Sequence, residues 1–387
     1  MTWHLLASTY FDFEAIERDV QADRAPRHFL RELSRHLDGA IHHPVEPGTS
    51  DRPSVFDRFA ALLYSDAQLW QLARRVRREL EPGDGVYATG ANSGLPLALL
   101  CSLFGPRQVN FAIAVTDVQR PRVRLMGWLL VLLRSRWLIL VPHDGMVEIA
   151  AKSFGRFAAG IMAINGLTDF EFFRPDPAEP AKRARPASQA NHDIDLVHLE
   201  DDRPLLVSCG AEARDYGLLA AATNDLSVDV KVCFASPNLT SKTRYTMPNP
   251  LPDYMHVQYF SFPELRDLYQ GADVVVVPLL PNRYAAGLTT VFEAVACGRP
   301  VVVARSPGVV QEMINRDLVS WYEMGDLNGL RTVIADVLAD PASSQARADR
   351  AHRWVQTHYS SAAYRRRVFQ ALETAFGERP VAPTSRT

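Results

Sequence analysis

A strand, a glycine turn, a helix and a second strand follow one another in the C-terminal half of this 387-residue chain. Ala272 to Leu280 is rich in β-branched residues and is long enough for a strand buried on both faces. Gly287 follows a polar turn, and the apolar spacing from Thr289 to Ala296 suits a helix that Gly298 ends. We expect Val291, Phe292 and Val295 to face inward. Pro300 to Ala304 is again apolar and β-branched. This order predicts a βαβ crossover, whose helix begins at the carboxyl edge of a parallel sheet.

The start of this helix suits a phosphate group. Backbone N–H groups at a helix N-terminus have no intrahelical acceptor, and the helix dipole favours negative charge there. The donors that we expect are Gly287, Leu288, Thr289 and Thr290. Glu293 lies about one turn further on, where a carboxylate can accept two hydrogen bonds from a ribose diol. The pattern therefore favours a nucleoside diphosphate as the ligand.

The residues from Glu293 to Val302, E-A-V-A-C-G-R-P-V-V, resemble the donor-site pattern of family 4 glycosyltransferases. These are retaining enzymes with two Rossmann-like domains, the GT-B architecture. The pattern S-x-x-E-L-x-x-L-Y-x-x-A-D-V-V-V-V-P from Ser261 to Pro278 and the segment 165–175 also resemble that family. One position departs from it, because the family has a second glutamate eight residues upstream, where this chain has Ala285. In the family that glutamate touches the donor sugar.

The resemblance implies an α/β fold with two Rossmann-like domains facing a crevice and a C-terminal helix that crosses back to the first domain. Residues 1–175 are then the acceptor-side domain and 176–199 a proline-containing linker. Residues 200–360 are the nucleotide-sugar domain, and 361–387 form the crossing helix and a tail. A chain of this length fits two domains.

The implied activity is a retaining transfer of a hexosyl group from a nucleotide-diphosphate sugar to an acceptor. That acceptor is a glycan, a lipid-linked sugar or a small molecule. Arg214, which follows the turn at Gly210, and the amides after Gly287 can stabilise the leaving diphosphate without a metal or other cofactor. An ion pair of Arg214 with Glu212 or Asp215 is the alternative. A GT-B protein that binds nucleotide sugar without turnover, or another GT-B enzyme such as an epimerase, is the alternative function.

Two polar residues follow strands predicted in the first domain and are candidate catalytic groups. Asp117 follows the strand predicted at 109–115, and His143 follows the strand at 137–142. A helix cap or surface turn for Asp117, and a surface position for His143, are the alternatives. The turn from Gly90 to Gly94 is a second glycine-containing strand-to-helix turn, in which Asn92 and Ser93 either contact a ligand or cap the helix.

Other predictions in the first domain concern its elements. Ser8 to Ala25 has no glycine and is predicted to be a long loop, whereas Val55 to Leu80 is predicted to be mostly helical. The helix after the Gly90 turn is predicted at Leu95 to Phe104.

The sequence gives little support for a metal site. His42 and His43 are adjacent, but no further ligand spacing accompanies them. Asp193 and Asp195 form a D-x-D that lies after the linker, among further acidic residues, so we interpret it as a solvated loop. The four cysteines are scattered without a C-x-x-C, which gives no indication of zinc or of a disulfide framework.

Composition describes a globular protein with 47% hydrophobic and 22% charged residues and a formal charge of −2. That charge gives no general attraction for nucleic acid. Of the 42 basic residues, 38 are arginine, a bias typical of a GC-rich bacterial genome. The N-terminus lacks a basic leader with a long apolar run, so we expect a cytoplasmic protein.

Leu125 to Leu133 is a run of nine apolar residues, too short for a bilayer span of about 20 residues. The flanking basic residues are Arg120, Arg122, Arg124, Arg134 and Arg136. The run is either a core helix with arginines extending from its ends or an amphipathic contact with the inner face of a membrane.

Overall fold

The structure, a computed structural model, describes residues 1–46, 51–106, 108–116, 118–133, 137–154, 160–164, 166–176, 203–234, 243–282 and 286–377. The chain divides into two compact units. The first unit comprises Met1–Gln21, Arg27–Asn165 and Ala362–Thr387, and the second comprises Ala22–Pro26 and Gly166–Ser361. Each unit contains a six-stranded sheet in which every pairing is parallel.

The strands of the first unit are β1 (Trp3–Leu6), β2 (Ala40–His42), β3 (Gly85–Ala88), β4 (Asn110–Ala114), β5 (Trp137–Val141) and β6 (Gly160–Ala163). They lie in the order β2-β1-β3-β4-β5-β6. The helices are α1 (Phe13–Gln21), α2 (Phe29–Leu37), α3 (Val55–Ala60), α4 (Ala67–Arg77), α5 (Ala91–Phe104), α6 (Pro121–Leu132) and α7 (Gly145–Phe154). The central strands β3 and β5 are buried along their whole length, as in parallel sheets covered by helices on both faces.

The last helix, α14 (Ser361–Phe376), contributes to the first unit from Ala362 onward, as the family resemblance implied. The hydroxyl groups of Tyr87 on β3 and Tyr364 on α14 form a buried hydrogen bond of 2.8 Å. This bond satisfies two phenol groups that would otherwise be costly to bury.

Two element predictions in the first unit were wrong in part. The segment predicted to be a loop contains α1, which buries no side chain. The segment from Val55 to Leu80 is mostly helical, as predicted, and consists of two helices, because Ser65 has a φ of 64° and Asp66 caps α4 by accepting a hydrogen bond from the Leu69 amide. Helix α5 begins at Ala91 rather than Leu95, with Gly90 as its N-cap.

The main sheet of the second unit has the order β11-β9-β7-β12-β13-β14, and β10 pairs with β8 in a small second sheet. The strands are β7 (Leu205–Cys209), β8 (Arg214–Asp215), β9 (Asp229–Cys233), β10 (Tyr245–Thr246), β11 (Met255–Gln258), β12 (Val274–Val277), β13 (Val301–Ala304) and β14 (Ser320–Tyr322). The helices are α8 (Tyr216–Thr223), α9 (Phe262–Gly271), α10 (Leu288–Ala296), α11 (Val309–Asn315), α12 (Leu327–Ala339) and α13 (Pro341–Tyr359).

The predicted βαβ crossover is β12–α10–β13. The two strands pair in parallel, with Val276 opposite Val302, and every residue of both is buried. Helix α10 buries Val291, Phe292 and Val295, the three residues that its apolar spacing indicated. The valine-rich strands and this helix form the centre of the second core.

The helices of the described residues include none that is both long enough and apolar enough to cross a bilayer.

Candidate functional site

The candidate site of the second unit is built where neighbouring strands β7 and β12 end. Strand β7 ends at Cys209, and the chain turns at Gly210, whose φ is 101°. A short loop then leads to Arg214 on β8. Strand β12 leads toward Gly287, which has a φ of 80° and is the N-cap of α10. Because parallel strands end at the same edge of a sheet, the two loops meet there.

Arg214 is buried, with 4% of its surface exposed, and its guanidinium is held by neutral oxygens. Nε donates to the carbonyl of Cys209 at 2.9 Å, and Nη1 donates to the carbonyl of Glu212 at 2.9 Å. Nη2 donates to Oγ1 of Thr290 at 3.1 Å, which ties the guanidinium to the first turn of α10. The carboxylate of Asp215 is engaged elsewhere, with Thr246 and the Leu218 amide. The site therefore holds a buried cation whose bonds are to uncharged acceptors.

At Gly287 the start of α10 lies close to both Val277 and the guanidinium of Arg214. A Cβ atom at this position would lie 2.6 Å from Cγ1 of Val277 and 3.4 Å from Nη1 of Arg214. The positive φ and the first of these distances both require glycine. The amides of the first turn of α10, from Leu288 to Thr290, have no intrahelical acceptors. No side-chain hydrogen bond caps this helix either, so these amides are available to a ligand. Thr289 is exposed at this end of the helix.

Glu293 lies one turn further along α10 and is mostly buried. Its Oε2 accepts a hydrogen bond of 3.0 Å from the hydroxyl of Tyr269 on α9. Burial raises the pKa of Glu293 to about 8, although the Tyr269 hydrogen bond and the charge of Arg214 act in the opposite direction. At neutral pH the carboxyl group is therefore mostly protonated, and a ligand that binds the carboxylate must displace that proton.

Tyr269 is the residue that sequence reasoning missed as part of this site. It is completely buried, and burial raises the pKa of its phenol well above the usual value. The only signal was its place in the S-x-x-E-L-x-x-L-Y pattern, which does not tell which side chain the hydroxyl meets. Thr290 was expected to provide an amide, and the structure adds a second contact through its hydroxyl group.

His143 lies in the first unit, after the end of β5, and is 4% exposed. Neither ring nitrogen has a hydrogen-bond partner within the described part of the chain. Burial lowers the pKa of its imidazole, with a smaller opposing effect from Asp144, so the ring is neutral at pH 7. The alternative of a surface histidine was wrong. Asp117, Ala285 and the D-x-D at Asp193 lie outside the described residues, and the catalytic roles of Asp117 and His143 stay predictions.

The turn after β3 in the first unit is closed by neutral groups. Ser8 Oγ donates to Oδ1 of Asn92 at 2.8 Å and lies 3.1 Å from Oγ of Ser93. Ser93 is fully buried and donates to the carbonyl of Gly90. The sequence suggested either a ligand contact or a helix cap for Ser93. In the structure its buried hydroxyl bonds within the turn, which is a structural role.

One group of described residues has the ligand types and spacing that could hold a metal ion, namely His4, His42 and Glu79. Nδ1 of His4 and Nε2 of His42 lie 3.0 Å apart and can form a hydrogen bond with each other. Burial, followed by the nearby charge of His4, lowers the pKa of His42 to about 4. His43 is not in the group, and its Nδ1 pairs with the carbonyl of Pro44. A direct hydrogen bond between the two rings accounts for this pair.

The second unit also contains the match to known sequences. Residues 217–340 match the model of the family described as glycosyl transferases group 1. A segment of 105 residues is 40% identical to a D-inositol 3-phosphate glycosyltransferase of Mycolicibacterium vanbaalenii. The resemblance to the group 1 glycosyltransferases is confirmed. The segment spans 25% of this chain and 22% of that relative, so the similarity covers only a small part of the relative's length.

Solved structures are similar to this chain over its whole fold. A sucrose-phosphate synthase of Thermosynechococcus elongatus is 16% identical, with a TM-score of 0.68, over 97% of this chain and all of that one. A trehalose 6-phosphate synthase of Burkholderia multivorans is 12% identical, with a TM-score of 0.67, over 97% and 99%. HepE of Anabaena, solved with UDP-glucose, is 13% identical, with a TM-score of 0.61, over 98% and 100%. The predicted GT-B fold with two Rossmann-like domains is confirmed.

The matched glycosyl transferases group 1 segment contains Gly287, Glu293 and Tyr269, but it begins three residues after Arg214. Arg214, which the sequence already indicated, therefore lies outside the matched segment, and its contact with α10 comes from the structure.

Proposed function

We propose that this protein is a retaining glycosyltransferase that moves a hexosyl group from a nucleotide-diphosphate sugar to an acceptor hydroxyl without a metal ion. The observation that carries the proposal is the buried guanidinium of Arg214, which is bonded to the first turn of α10. A cation and free helix amides at one place bind a diphosphate, and a carboxyl group one turn further on suits a ribose diol.

In this reaction the bond between the anomeric carbon and the diphosphate oxygen breaks, and a bond from the acceptor oxygen to the same carbon forms. The hydroxyl proton passes to the departing diphosphate. Arg214 and the amides of Leu288 and Thr289 stabilise the negative charge that develops on that group. Since these donors are already oriented by the protein, the charge is met without reorganisation at the moment of reaction.

The donor that we propose for the first assay is UDP-glucose. The support is the structural likeness to HepE, which was solved with that nucleotide sugar. GDP-, ADP- and dTDP-sugars complete the panel. The acceptor is proposed only as a hydroxyl compound: a glycan, a lipid-linked sugar or a small molecule.

The decisive experiment measures release of nucleoside diphosphate from each donor, with and without a panel of acceptors, after treatment with EDTA. We expect turnover to persist in EDTA and NMR to show that the product keeps the anomeric configuration of the donor. Activity that is lost in EDTA and restored by Mn²⁺ would contradict the metal-free mechanism. An inverted product would contradict retention.

A second candidate function, binding of nucleotide sugar without turnover, is favoured by Ala285, where the related family has a glutamate. Nucleotide binding by calorimetry, without turnover of any donor either in the native protein or in Ala285→Glu, would support it. Turnover that appears only in Ala285→Glu would indicate a catalytic scaffold that has lost its contact to the donor sugar.

His143 is proposed to contact the sugar or the acceptor through its unpartnered ring. A neutral imidazole can both donate and accept a hydrogen bond, which suits a hydroxyl group. We expect His143→Ala to lower kcat at least tenfold while the affinity for the free nucleoside diphosphate is unchanged. Equal kcat values for the two proteins would remove His143 from the reaction.

A further inference from the structure

The first unit exposes large apolar side chains in two segments that lie close together. Seven of the fifteen exposed large apolar residues among the described part of the chain belong to them, with exposed fractions from 37% to 83%. They are Val55, Phe56, Phe59, Leu62, Leu63, Leu125 and Trp128. Together with Arg52, Arg58, Arg120, Arg122 and Arg124, which are also exposed, we call them the apolar–arginine patch.

Helix α3 presents apolar side chains to solvent, and the one residue of this helix that is buried is the charged Asp57. Asp57 is completely buried and accepts hydrogen bonds from Nε and Nη2 of Arg74 at 3.1 and 2.8 Å. It also accepts the Ser54 amide at 2.8 Å, which completes a capping box. No apolar residue of α3 is buried. The helix is held by this ion pair and by Ala60, which packs partly against the core, whereas Phe56 and Phe59 are exposed.

Helix α6 is a core helix, as one of the two sequence interpretations predicted, and it also exposes apolar side chains. Val123, Met126 and Leu130 are buried in the core of the first unit. Leu125 and Trp128 lie on the opposite side, 44% and 58% exposed. The helix is thus a core element, and its outer side is apolar where a surface helix normally carries polar residues.

The two segments are neighbours in the fold. Helix α3 packs on α4, α4 on α5, and α5 on α6. The hydroxyl of Ser65, two positions after Leu63, donates to the carbonyl of Asn92 in the first turn of α5. Arg120, just before α6, is close enough to Tyr64 for its charge to act on that phenol. The two sets of side chains therefore belong to one region of the surface.

The charge of this region differs in sign from that of the whole chain. Residues 51–66 and 118–133 contain five arginines and three aspartates, whereas the chain as a whole has a formal charge of −2. One of those aspartates, Asp57, is bound to Arg74, outside both segments. Asp51 and Asp66 are the remaining acidic groups, and Asp66 caps α4. The side chains of Arg122 and Arg124 have no acidic partner within the described residues.

We infer that the apolar–arginine patch docks on a lipid bilayer that contains anionic headgroups. Phenylalanine, leucine and tryptophan side chains insert at the boundary of the acyl chains, while the arginines meet lipid phosphates. A second copy of this chain is a poorer occupant, because a two-fold contact would place the same arginines against each other. The docking does not depend on the donor site, and it would bring the protein to acceptors that are held in a membrane.

The test is sedimentation of the full chain with vesicles made of equal parts phosphatidylglycerol and phosphatidylcholine. In low salt, where screening is weak, we expect binding that decreases as salt is added and is absent with phosphatidylcholine alone. Phe59→Ser with Leu62→Ser, and separately Arg122→Gln with Arg124→Gln, should each lower the vesicle affinity at least about tenfold, which corresponds to about 1.4 kcal/mol.

Matched controls come from the same unit. Phe104→Ser removes a side chain that is 64% exposed outside the patch, and Arg31→Gln with Arg78→Gln removes two exposed arginines elsewhere. Both controls should bind as the native chain does. Vesicles with brominated acyl chains should quench the fluorescence of the native chain, and Trp128→Phe should lose this quenching but still sediment.

Three results would overturn the inference. One is no sedimentation of the native chain with anionic vesicles in low salt. Another is equal loss of binding in the patch variants and the controls. The third is self-association in analytical ultracentrifugation, without vesicle binding, that Phe59→Ser with Leu62→Ser abolishes; a second copy would then be the occupant.

Discussion

The two units each contain a glycine turn between a parallel strand and a helix, but among the described residues only the turn in the second unit has a buried cation beside it. Gly90 begins α5 in the first unit and Gly287 begins α10 in the second, and neither helix has a side-chain cap. Around Gly90 the polar groups are the neutral side chains of Ser8 and Asn92. Beside Gly287 lies the buried guanidinium of Arg214. Helix amides occur in both turns, so the buried cation distinguishes them.

The largest difference between the two turns should appear when each glycine is replaced by alanine. Gly287→Ala forces a positive φ on a residue with a Cβ atom and places that atom 2.6 Å from Val277. We expect binding of nucleoside diphosphate to weaken more than 100-fold and stability to fall by about 1–3 kcal/mol. Isothermal calorimetry and urea unfolding measure the two effects.

Gly90→Ala is the matched control for that variant. Gly90 has a φ of −158°, which any residue adopts, and the new Cβ atom would meet only the ends of the Asn92 and Ser8 side chains. Nucleotide affinity should not change. Equal losses in the two variants would mean that both turns bind the ligand.

Arg214→Lys keeps the charge and removes the planar fork that bonds the first turn of α10. We expect affinity for nucleoside diphosphates to fall about 10- to 100-fold, since a lysine cannot replace the bidentate donor. Affinity for the nucleoside without phosphates should be unchanged in the same calorimetric series. A parallel loss for the nucleoside would show that the variant damages the fold rather than the phosphate site.

Glu293→Gln should have a smaller effect on binding, about tenfold, because charge-assisted hydrogen bonds to the ribose are lost.

Glu293→Gln should also change how stability depends on pH. The pKa of Glu293 is about 8 in the folded chain, whereas an ordinary glutamate, as in the unfolded chain, has a pKa of 4.5. The folded state therefore retains a proton that the unfolded state releases between these values. The free energy of unfolding falls as pH rises from about 5 to 8, by at most about 1.4 kcal/mol per pH unit.

Glu293→Gln has no carboxyl group to titrate at this position. The free energy of unfolding of the variant, minus that of the native chain, should therefore increase from about pH 5 to 8. Urea unfolding at several pH values measures it. Parallel stability curves for the two proteins would show that Glu293 is ionised in the free site. In the native chain, affinity for nucleoside diphosphate should rise between pH 6 and 8, because the bound carboxylate no longer has to lose its proton.

The crossover was predictable from the sequence because valines, a glycine and a proline mark its elements directly. The expected inward residues Val291, Phe292 and Val295 are buried, since a 3.6-residue period fixes the buried side of a helix. The environment of Glu293 was not predictable. Its partner Tyr269 lies 24 positions upstream, and the buried proton follows from that packing rather than from any local pattern.

Arg214 shows a second limit of sequence reasoning. The alternative drawn from the sequence was an ion pair with a neighbouring carboxylate, and the structure instead has bonds to two carbonyl groups and a hydroxyl. Carbonyl direction depends on the backbone angles at Gly210 and Ala213, both with positive φ, and residue types alone do not give it. Helix α1 was missed although Phe13, Ile16 and Val20 follow a helical apolar period, because the loop prediction rested on the absence of glycine in this segment.

The attachment of α3 through Asp57 has a consequence for amide hydrogen exchange. Burial opposes ionisation of this carboxyl, but the hydrogen bonds from Arg74 and Ser54 outweigh that effect and hold its pKa below 3.8. The attachment is therefore complete near neutral pH and is lost as acid titrates the folded-state carboxylate. Since α3 has six residues and buries no apolar residue fully, we expect its amides to exchange faster than those of the core helices, and faster still in acid that protonates Asp57.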